Sequence, residues 1–205
     1  GLNTGGMGAV SPVPFADAEF LDKVERRIVR PTLGGLREEG IPYRGFLFIG
    51  LMDVEGDPMV VEYNVRLGDP ETEVVVPRIA SDMVDLLEGI ADQTLAVKKV
   101  LVDERAAAAV MVVSDGYPGK YATGKAISGL DRIGKCADAV VFHAGTRRDP
   151  DTGMVYTAGG RVLATMAFGA DLRQAVDSAL RQAALVSFEG ARFRADIGAD
   201  MLKLL

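Results

Sequence analysis

The sequence predicts an α+β protein in two parts: an antiparallel sheet with helices over residues 1–94 and a small α+β domain over residues 95–205. Residues 59–67 alternate apolar and polar side chains, which is the period of a β-strand with one buried face. The apolar run at residues 45–52 has strand length and is expected to pair antiparallel with them. Beyond residue 96, short strands and turns alternate before a final amphipathic helix.

The first helix is predicted to begin after Asp17, a good N-cap, because apolar residues then recur at helical spacing from Phe20 to Ile28. Pro31 is expected to end or kink this helix. A second short helix is predicted to follow and to close at Gly40.

The later elements are predicted from the same patterns. A helix is expected over Pro77–Leu87, with a boundary near residues 92–94, and Gly159-Gly160 predicts a β-hairpin between its two flanking strands. The predicted strands are Ala106–Val113, Ala139–His143, Val155–Thr157 and Arg161–Phe168, and the final helix is Leu172–Leu185.

The composition and net charge of the chain limit the classes of partner and the compartment that are expected for it. The chain has 205 residues, 48% hydrophobic residues and a net charge of −6, which is ordinary for a globular protein and argues against nucleic acid or an anionic membrane as partner. No apolar run has membrane-spanning length and no signal peptide is recognised. The one cysteine, Cys136, fits a reducing compartment, and we interpret it as a small core residue. A cytoplasmic location is expected.

Three polar side chains, Glu62, Asn64 and Arg66, share one face of the predicted strand at 59–67. A solvated strand face is one interpretation. A metal–phosphate site is the other, because Mg²⁺ prefers oxygen ligands and arginine binds carboxylate or phosphate through two hydrogen bonds. The spacing alone leaves both open.

The chain opens on a glycine-rich loop, residues 1–8, in which backbone N–H groups are able to approach an anion. A plain flexible loop is the alternative, and the loop lacks the Gly-Lys-Ser/Thr ending of a phosphate-binding P-loop. Because no strand or helix precedes the loop, we expect the chain to be a piece of a longer protein.

The lone histidine, His143, is expected to be a hydrogen-bonded structural residue, and without a second histidine neither a structural zinc site nor a Ser-His-Asp triad is supported. Tyr117, Tyr121 and Arg161 lie in or beside turns. They are interpreted either as contacts to a neighbouring domain or as ordinary surface residues.

Five motifs, in order, carry a family resemblance over essentially the whole chain. They are Asn3-Thr4-Gly5-Gly6-Met7-Gly8, the run from Glu62 to Thr72 (EYNVRLGDPET), Gly116-Tyr117-Pro118-Gly119, Phe142-His143-Ala144-Gly145-Thr146 and Gly159-Gly160-Arg161-Val162-Leu163. Together they resemble the phosphoribosylamine–glycine ligases, also called glycinamide ribonucleotide synthetases. The resemblance implies that residues 1–94 are the C-terminal part of an ATP-grasp domain and residues 95–205 a small C-terminal α+β domain.

The resemblance also implies an activity. The family joins glycine to 5-phosphoribosylamine with ATP hydrolysis in de novo purine biosynthesis, through an acyl phosphate. Such chemistry depends on positioning and charge neutralisation.

The roles implied for this chain follow the matching motifs. Glu62 and Asn64 would hold Mg²⁺ or Mn²⁺, and Arg66 would bind the glycine carboxylate or the transferring phosphoryl group. The glycine-rich loop and the turn at 69–71 would line the substrate side. The residues of those two segments are Asn3, Thr4, Gly5, Gly6, Met7, Gly8, Asp69, Pro70 and Glu71.

Two departures from the family pattern are expected to matter. Phe48 stands where many ATP-grasp enzymes have a further acidic ligand, so fewer carboxylates are expected at the metal. The N-terminal half is expected to be missing, which would leave this fragment inactive alone. An ATP-grasp ligase for another carboxylate and a non-catalytic fragment remain alternatives.

Overall fold

The structure is a computed structural model that describes residues 4–133 and 138–205. The predictions for Asn3 and Cys136 lie outside the described residues. The strands are β1 Gly8–Ser11, β2 Phe48–Val54, β3 Asp57–Asn64, β4 Ala106–Ser114, β5 Ala139–His143, β6 Thr146–Arg148, β7 Val155–Thr157, β8 Arg161–Gly169 and β9 Ala191–Arg192. The α-helices are α1 Ala18–Val24, α2 Arg30–Glu38, α3 Thr72–Val75, α4 Met83–Ala91 and α5 Leu172–Ala183.

The main sheet is antiparallel and has the strand order β1-β4-β8-β5, with β9 paired to the end of β4. Every residue of β4 is buried, because α5 packs against one face and α3 packs against the other together with Met7 and Tyr117. Val110 packs with the α5 side, whereas Ala109 packs with Val74 of α3. The helices and antiparallel sheets confirm the predicted α+β class, and the division at residue 94 stays a prediction. Strand β1 lies in the same sheet as β4.

The prediction that Pro31 ends the first helix is wrong, and the alternative that it kinks the helix stays a prediction. The helix continues from α1 through a π-helical segment, Glu25–Val29, into α2. The wider turn directly before Pro31 is where its missing N–H is accommodated. The N-cap at Asp17 is confirmed by the hydrogen bond from Phe20 N to Asp17 Oδ1, 2.8 Å. Gly40 closes α2 at a positive φ of 65°, as predicted.

The predicted helix Pro77–Leu87 is also corrected. Residues 76–78 form a short 3₁₀ turn, and Ile79 is extended and bridges Val102. Helix α4 begins only at Met83, because Asp82 accepts hydrogen bonds from Val84 N and Asp85 N as its N-cap.

The hairpin predicted around Gly159-Gly160 is wrong. Strand β7 pairs with β6, whereas β8 pairs with β4 and β5. The chain crosses between two sheets at this point, so the two glycines join strands that are not neighbours. An added Cβ on Gly160 would lie 2.8 Å from Tyr117 Cε2, and this crowding explains the glycine.

Strands β2 and β3 form a separate two-stranded antiparallel sheet, as their pairing prediction required. Strand β3 ends at Asn64, three residues before the predicted end at Leu67. Its predicted apolar face does not bury itself: Val61 is 64% exposed and Val65 is 74% exposed. Helix α1 contacts β3, and Thr32 Oγ1 of α2 lies 2.9 Å from Tyr63 Oη, but these contacts leave Val61 and Val65 exposed.

Within the described residues, no helix is both long and apolar enough to cross a membrane.

Candidate active site

Glu62 and Asn64 lie side by side near the end of β3. They are two residues apart and therefore project from the same face, and Asn64 Nδ2 donates to Glu62 Oε1 at 2.9 Å. Gly50 lies opposite Glu62, where an added Cβ would come within 3.1 Å of Glu62 Cγ. The small residue on β2 therefore leaves the Glu62 side chain its room. The two predicted metal ligands are brought together by this geometry.

Arg66 lies beyond the end of β3. Its Nη1 donates to the carbonyl oxygen of Leu67 at 2.8 Å, and its side chain is exposed. Of the three predicted polar groups, the structure thus joins Glu62 to Asn64 by a hydrogen bond, and Arg66 bonds to its own neighbouring backbone.

The residues that follow form a tight turn that leads into α3. Gly68 is buried against Phe48, and an added Cβ would lie 2.8 Å from Phe48 Cε2. Pro70 is buried, and Glu71 lines a cavity of about 640 Å³ together with Gly8, Arg194 and Asp196. The turn therefore carries the chain from the Glu62–Asn64 pair directly to the wall of a cavity.

The described part of the glycine-rich loop, residues 4–8, reaches the same cavity at Gly8. Met7 is buried, and its carbonyl oxygen accepts a hydrogen bond from Met111 N at 3.0 Å. An added Cβ on Gly8 would lie 2.7 Å from Ala109 O, so this position needs glycine to let β1 approach β4. Thr4 and Met7 also line a smaller cavity of about 240 Å³ with Tyr117 and Arg192.

Arg161 links the glycine-rich loop to the turn at residues 68–71. Its Nη1 and Nη2 contact Asp69 Oδ1 and Oδ2 at 2.9 and 2.6 Å, and Nη1 lies 3.3 Å from Asp69 O and 3.4 Å from Gly6 O. The sequence left Arg161 either as a contact to a neighbouring domain or as an ordinary surface residue, and the family resemblance implied that the Gly159-Gly160-Arg161 segment packs against the ATP-grasp domain and closes the site. Its partner lies 92 residues away, and no local spacing reveals such a pair.

Glu73, in α3 directly after the turn at residues 69–71, is a residue to which the sequence analysis gave no role. Its Oε2 is buried and has no hydrogen-bond partner among the described residues. Burial raises the pKa of Glu73 above its ordinary value, its own backbone amide lowers it, and the Asp69 carboxylate raises it further. No sequence pattern distinguishes it from the exposed acids around it.

We expect Glu73→Gln to stabilise the chain at neutral pH by about 1 kcal/mol or less, since the half-buried carboxylate is costly to ionise. With its pKa raised, folded wild type binds more protons than unfolded chain, so wild-type stability falls as pH rises above the ordinary glutamate pKa. Urea unfolding at about pH 4 and about pH 7 measures this. The gain should vanish at the lower pH, and exposed Glu104→Gln should show neither effect. A less stable Glu73→Gln at neutral pH would contradict the assignment.

His143 and Tyr117 each make a contact with a nearby side chain. His143 Nδ1 lies 3.0 Å from Thr146 Oγ1, which confirms the predicted hydrogen bond. Tyr117 and Tyr121 pack against each other, with ring centroids 6.2 Å apart, beside the Gly160 crossing.

The donor set fits a hard divalent cation held by few protein ligands. Across residues 4–133 and 138–205 no group of three or more His, Cys, Asp or Glu side chains is arranged for a metal. Phe48 lies opposite Asn64, so β2 adds no acid there. Mg²⁺ commonly takes one or two carboxylates and completes its shell with water and phosphate oxygens, which the Glu62–Asn64 pair allows.

Two family models match the chain. The model described as "Phosphoribosylglycinamide synthetase, ATP-grasp (A) domain" matches residues 1–72. The model described as "Phosphoribosylglycinamide synthetase, C domain" matches residues 107–200. Together they cover more than half of the sequence and leave the connecting segment between them.

Similar proteins agree with these matches. A phosphoribosylamine–glycine ligase of Chlorobaculum tepidum is 47% identical over 202 residues, which are 98% of this chain and 47% of that protein. One from Phenylobacterium zucineum is 45% identical over 97% of this chain and 47% of its own length. The chain thus spans about half the length of the relatives it matches.

Solved structures show the same likeness. The crystal structure of a phosphoribosylamine–glycine ligase from Thermotoga maritima matches with a TM-score of 0.78 at 36% identity, over 96% of this chain and 47% of that one. A biotin carboxylase domain of Hydrogenobacter thermophilus 2-oxoglutarate carboxylase matches with a TM-score of 0.57 at 14% identity, over 96% of this chain and 42% of that one. The second likeness shows a shared fold only.

Proposed function

The chain belongs to the phosphoribosylglycinamide synthetase family, and we propose that it is the C-terminal half of a ligase that joins glycine to 5-phosphoribosylamine. The reaction consumes ATP and forms glycinamide ribonucleotide, ADP and phosphate in de novo purine biosynthesis, a pathway that we place in the cytoplasm. The observation that carries the proposal is the Glu62–Asn64 pair, hydrogen-bonded at 2.9 Å and joined by one turn to a substrate-sized cavity.

We assign Glu62 and Asn64 to Mg²⁺ or Mn²⁺. The hydrogen bond between them uses Asn64 Nδ2 and Glu62 Oε1, and it leaves the amide oxygen and the second carboxylate oxygen outside this contact. When bound, the ion neutralises charge on the ATP phosphates. The Hydrogenobacter biotin carboxylase domain was solved in complex with MgADP and bicarbonate, which agrees with this assignment at the level of the shared fold.

The remaining residues of the site hold the substrates. Arg66 is exposed and follows Asn64 by two residues in sequence, and we assign its guanidinium to the glycine carboxylate or the transferring phosphoryl group. The loop at residues 4–8 offers backbone N–H groups to an anion, and Asn3 precedes it. Glu71, at the cavity wall, and Pro70 and Asp69 in the turn complete the substrate side.

The uncovered apolar surface supports a missing N-terminal half as partner. Val61 and Tyr63 of the β2–β3 ribbon are 64% and 47% exposed, and Val65, directly after β3, is 74% exposed, which is unusual for an apolar face. A two-stranded ribbon is marginal by itself, and the other half of the family's length would provide further strands and the adenine site.

We therefore expect this 205-residue chain to bind Mg-ATP weakly by isothermal titration calorimetry. Adding the N-terminal half of the Chlorobaculum tepidum relative, as a fused or separate chain, is expected to produce measurable binding. Tight Mg-ATP binding by these 205 residues alone would contradict the proposed division of the site.

The activity itself is tested in the fused protein. ADP release is expected only when glycine and 5-phosphoribosylamine are both present. Release that responds equally to a different carboxylate, or that needs no amine, would assign the chain to another ATP-grasp reaction.

A further inference from the structure

The contact between Arg161, Asp69 and Gly6, which we call the Arg161 clamp, occupies both carboxylate oxygens of Asp69. Arg161 Nη1 and Nη2 lie 2.9 and 2.6 Å from Oδ1 and Oδ2, in the two-bond geometry that best fixes relative orientation. A carboxylate held in this way is already engaged before any substrate arrives.

The backbone of Arg161 is held in place by its neighbours. Its carbonyl oxygen accepts a hydrogen bond from Gly145 N at 2.9 Å, and an added Cβ on Gly145 would lie 2.6 Å from that oxygen. Directly before it, Gly160 O accepts from Ser114 N of β4 at 2.8 Å. The Arg161 backbone is therefore held at the start of β8, and its side chain extends from this fixed position.

The glycine-rich loop is shaped around the same guanidinium. Gly6 has a positive φ of 73°, and an added Cβ would lie only 2.6 Å from Arg161 Nη1. The Gly6 carbonyl oxygen lies 3.4 Å from that nitrogen. The absence of a side chain at Gly6 is thus what allows one cation to contact both the loop and the turn.

We propose that Arg161 and Asp69 are positioning residues of the ligase site: they hold the glycine-rich loop and the turn at 68–71 in fixed register with the Glu62–Asn64 pair. This assignment rests on the proposed function, and it replaces a direct substrate contact for Asp69. Asp69 lies between Asn64 and Glu71 in sequence, so holding it restricts how far the metal pair and the cavity-lining Glu71 move relative to each other.

The ion pair between Arg161 and Asp69 is expected to contribute little to the free energy of unfolding, because it is partly exposed. The Arg161 side chain is 26% exposed and that of Asp69 is 51% exposed. Loss of this ion pair is instead expected to affect catalysis, where a displacement of about 1 Å costs roughly 100-fold in rate.

The activity test uses the fused protein. Arg161→Met and Asp69→Asn are each expected to lower kcat by about 10- to 100-fold and to leave the KM for ATP little changed. The double variant should be no worse than the poorer single variant, because the two residues act as a unit. Arg161→Lys should restore activity only partly, since lysine lacks the two-pronged geometry. Unchanged kcat in Arg161→Met would overturn the proposal.

A second readout needs no activity. In the 205-residue chain, Arg161→Met is expected to speed amide hydrogen exchange in both residues 7–11 and residues 72–75, while β4 stays protected. Lys125→Met is the matched control, because Lys125 and Glu189 form an ion pair of 2.7 Å that joins distant segments elsewhere. Unchanged exchange in either segment would also overturn the clamp. An inactive fused wild type would count against the proposed function, and the exchange result would still decide the clamp.

Discussion

Glu62→Gln is expected to abolish most of the glycine-dependent ADP release of the fused protein, with kcat falling on the order of 100- to 1,000-fold. The reason is the loss of the one carboxylate in the proposed metal pair, whose charge no neighbouring acid among the described residues replaces. Glutamine preserves the shape and an oxygen acceptor, so the change tests charge specifically. Steady-state kinetics at several Mg²⁺ concentrations measures it, and partial recovery at high Mg²⁺ is expected.

Glu55→Gln is the matched control for that experiment. Glu55 lies in the turn of the same β2–β3 ribbon, and its substitution removes an equal charge from the far end. It should leave kcat unchanged. If Glu62→Gln also retained wild-type turnover, Glu62 would not be a metal ligand.

The largest stability effect is expected from Gly129→Ala. Gly129 has a positive φ of 87°, and an added Cβ would overlap the Leu185 carbonyl oxygen and lie 2.9 Å from its carbon. Ser128 pairs with Ser187 at this point through two backbone hydrogen bonds of 2.8 and 3.1 Å, so neither segment moves aside freely. We expect a loss of about 3 kcal/mol or more in the free energy of unfolding, from strain and clash together.

Gly124→Ala separates the two causes. Gly124 has a similar φ of 77°, but nothing lies within 4 Å of its added Cβ. Its cost should be only the conformational term, about 1–2 kcal/mol. Urea unfolding of both variants gives the comparison, and equal losses would show that crowding at Leu185 contributes nothing.

Patterns that repeat along the chain predicted the elements best. The buried run of β4 and the amphipathic spacing of α5 depend on neighbours close in sequence, and the structure places both where they were expected. The cap at Asp17 is equally local. The Glu62–Asn64 pair was predictable for the same reason, since two residues on one strand face must project together.

The errors share a different cause. The Gly159-Gly160 signal marks a bend in the chain but cannot state which strands are neighbours, and β7 pairs with β6 instead of β8. The prediction that the apolar face of β3 is buried was wrong. An alternating pattern shows which side chains are apolar, but it does not show whether another layer of the structure covers them. The contact of Arg161 with Asp69 spans 92 residues and depends on the assembled fold.

Strand β1 has a consequence for how the chain is made. Gly8 pairs with Val110, and β4 in turn pairs with β8, so β1 remains without its partner until the ribosome has synthesised the chain as far as β4. Contacts so distant in sequence slow folding, because a long loop must close before they form. Moving residues 4–11 to follow residue 205 through a short linker would reorder synthesis and is expected to change the folding rate more than the final stability.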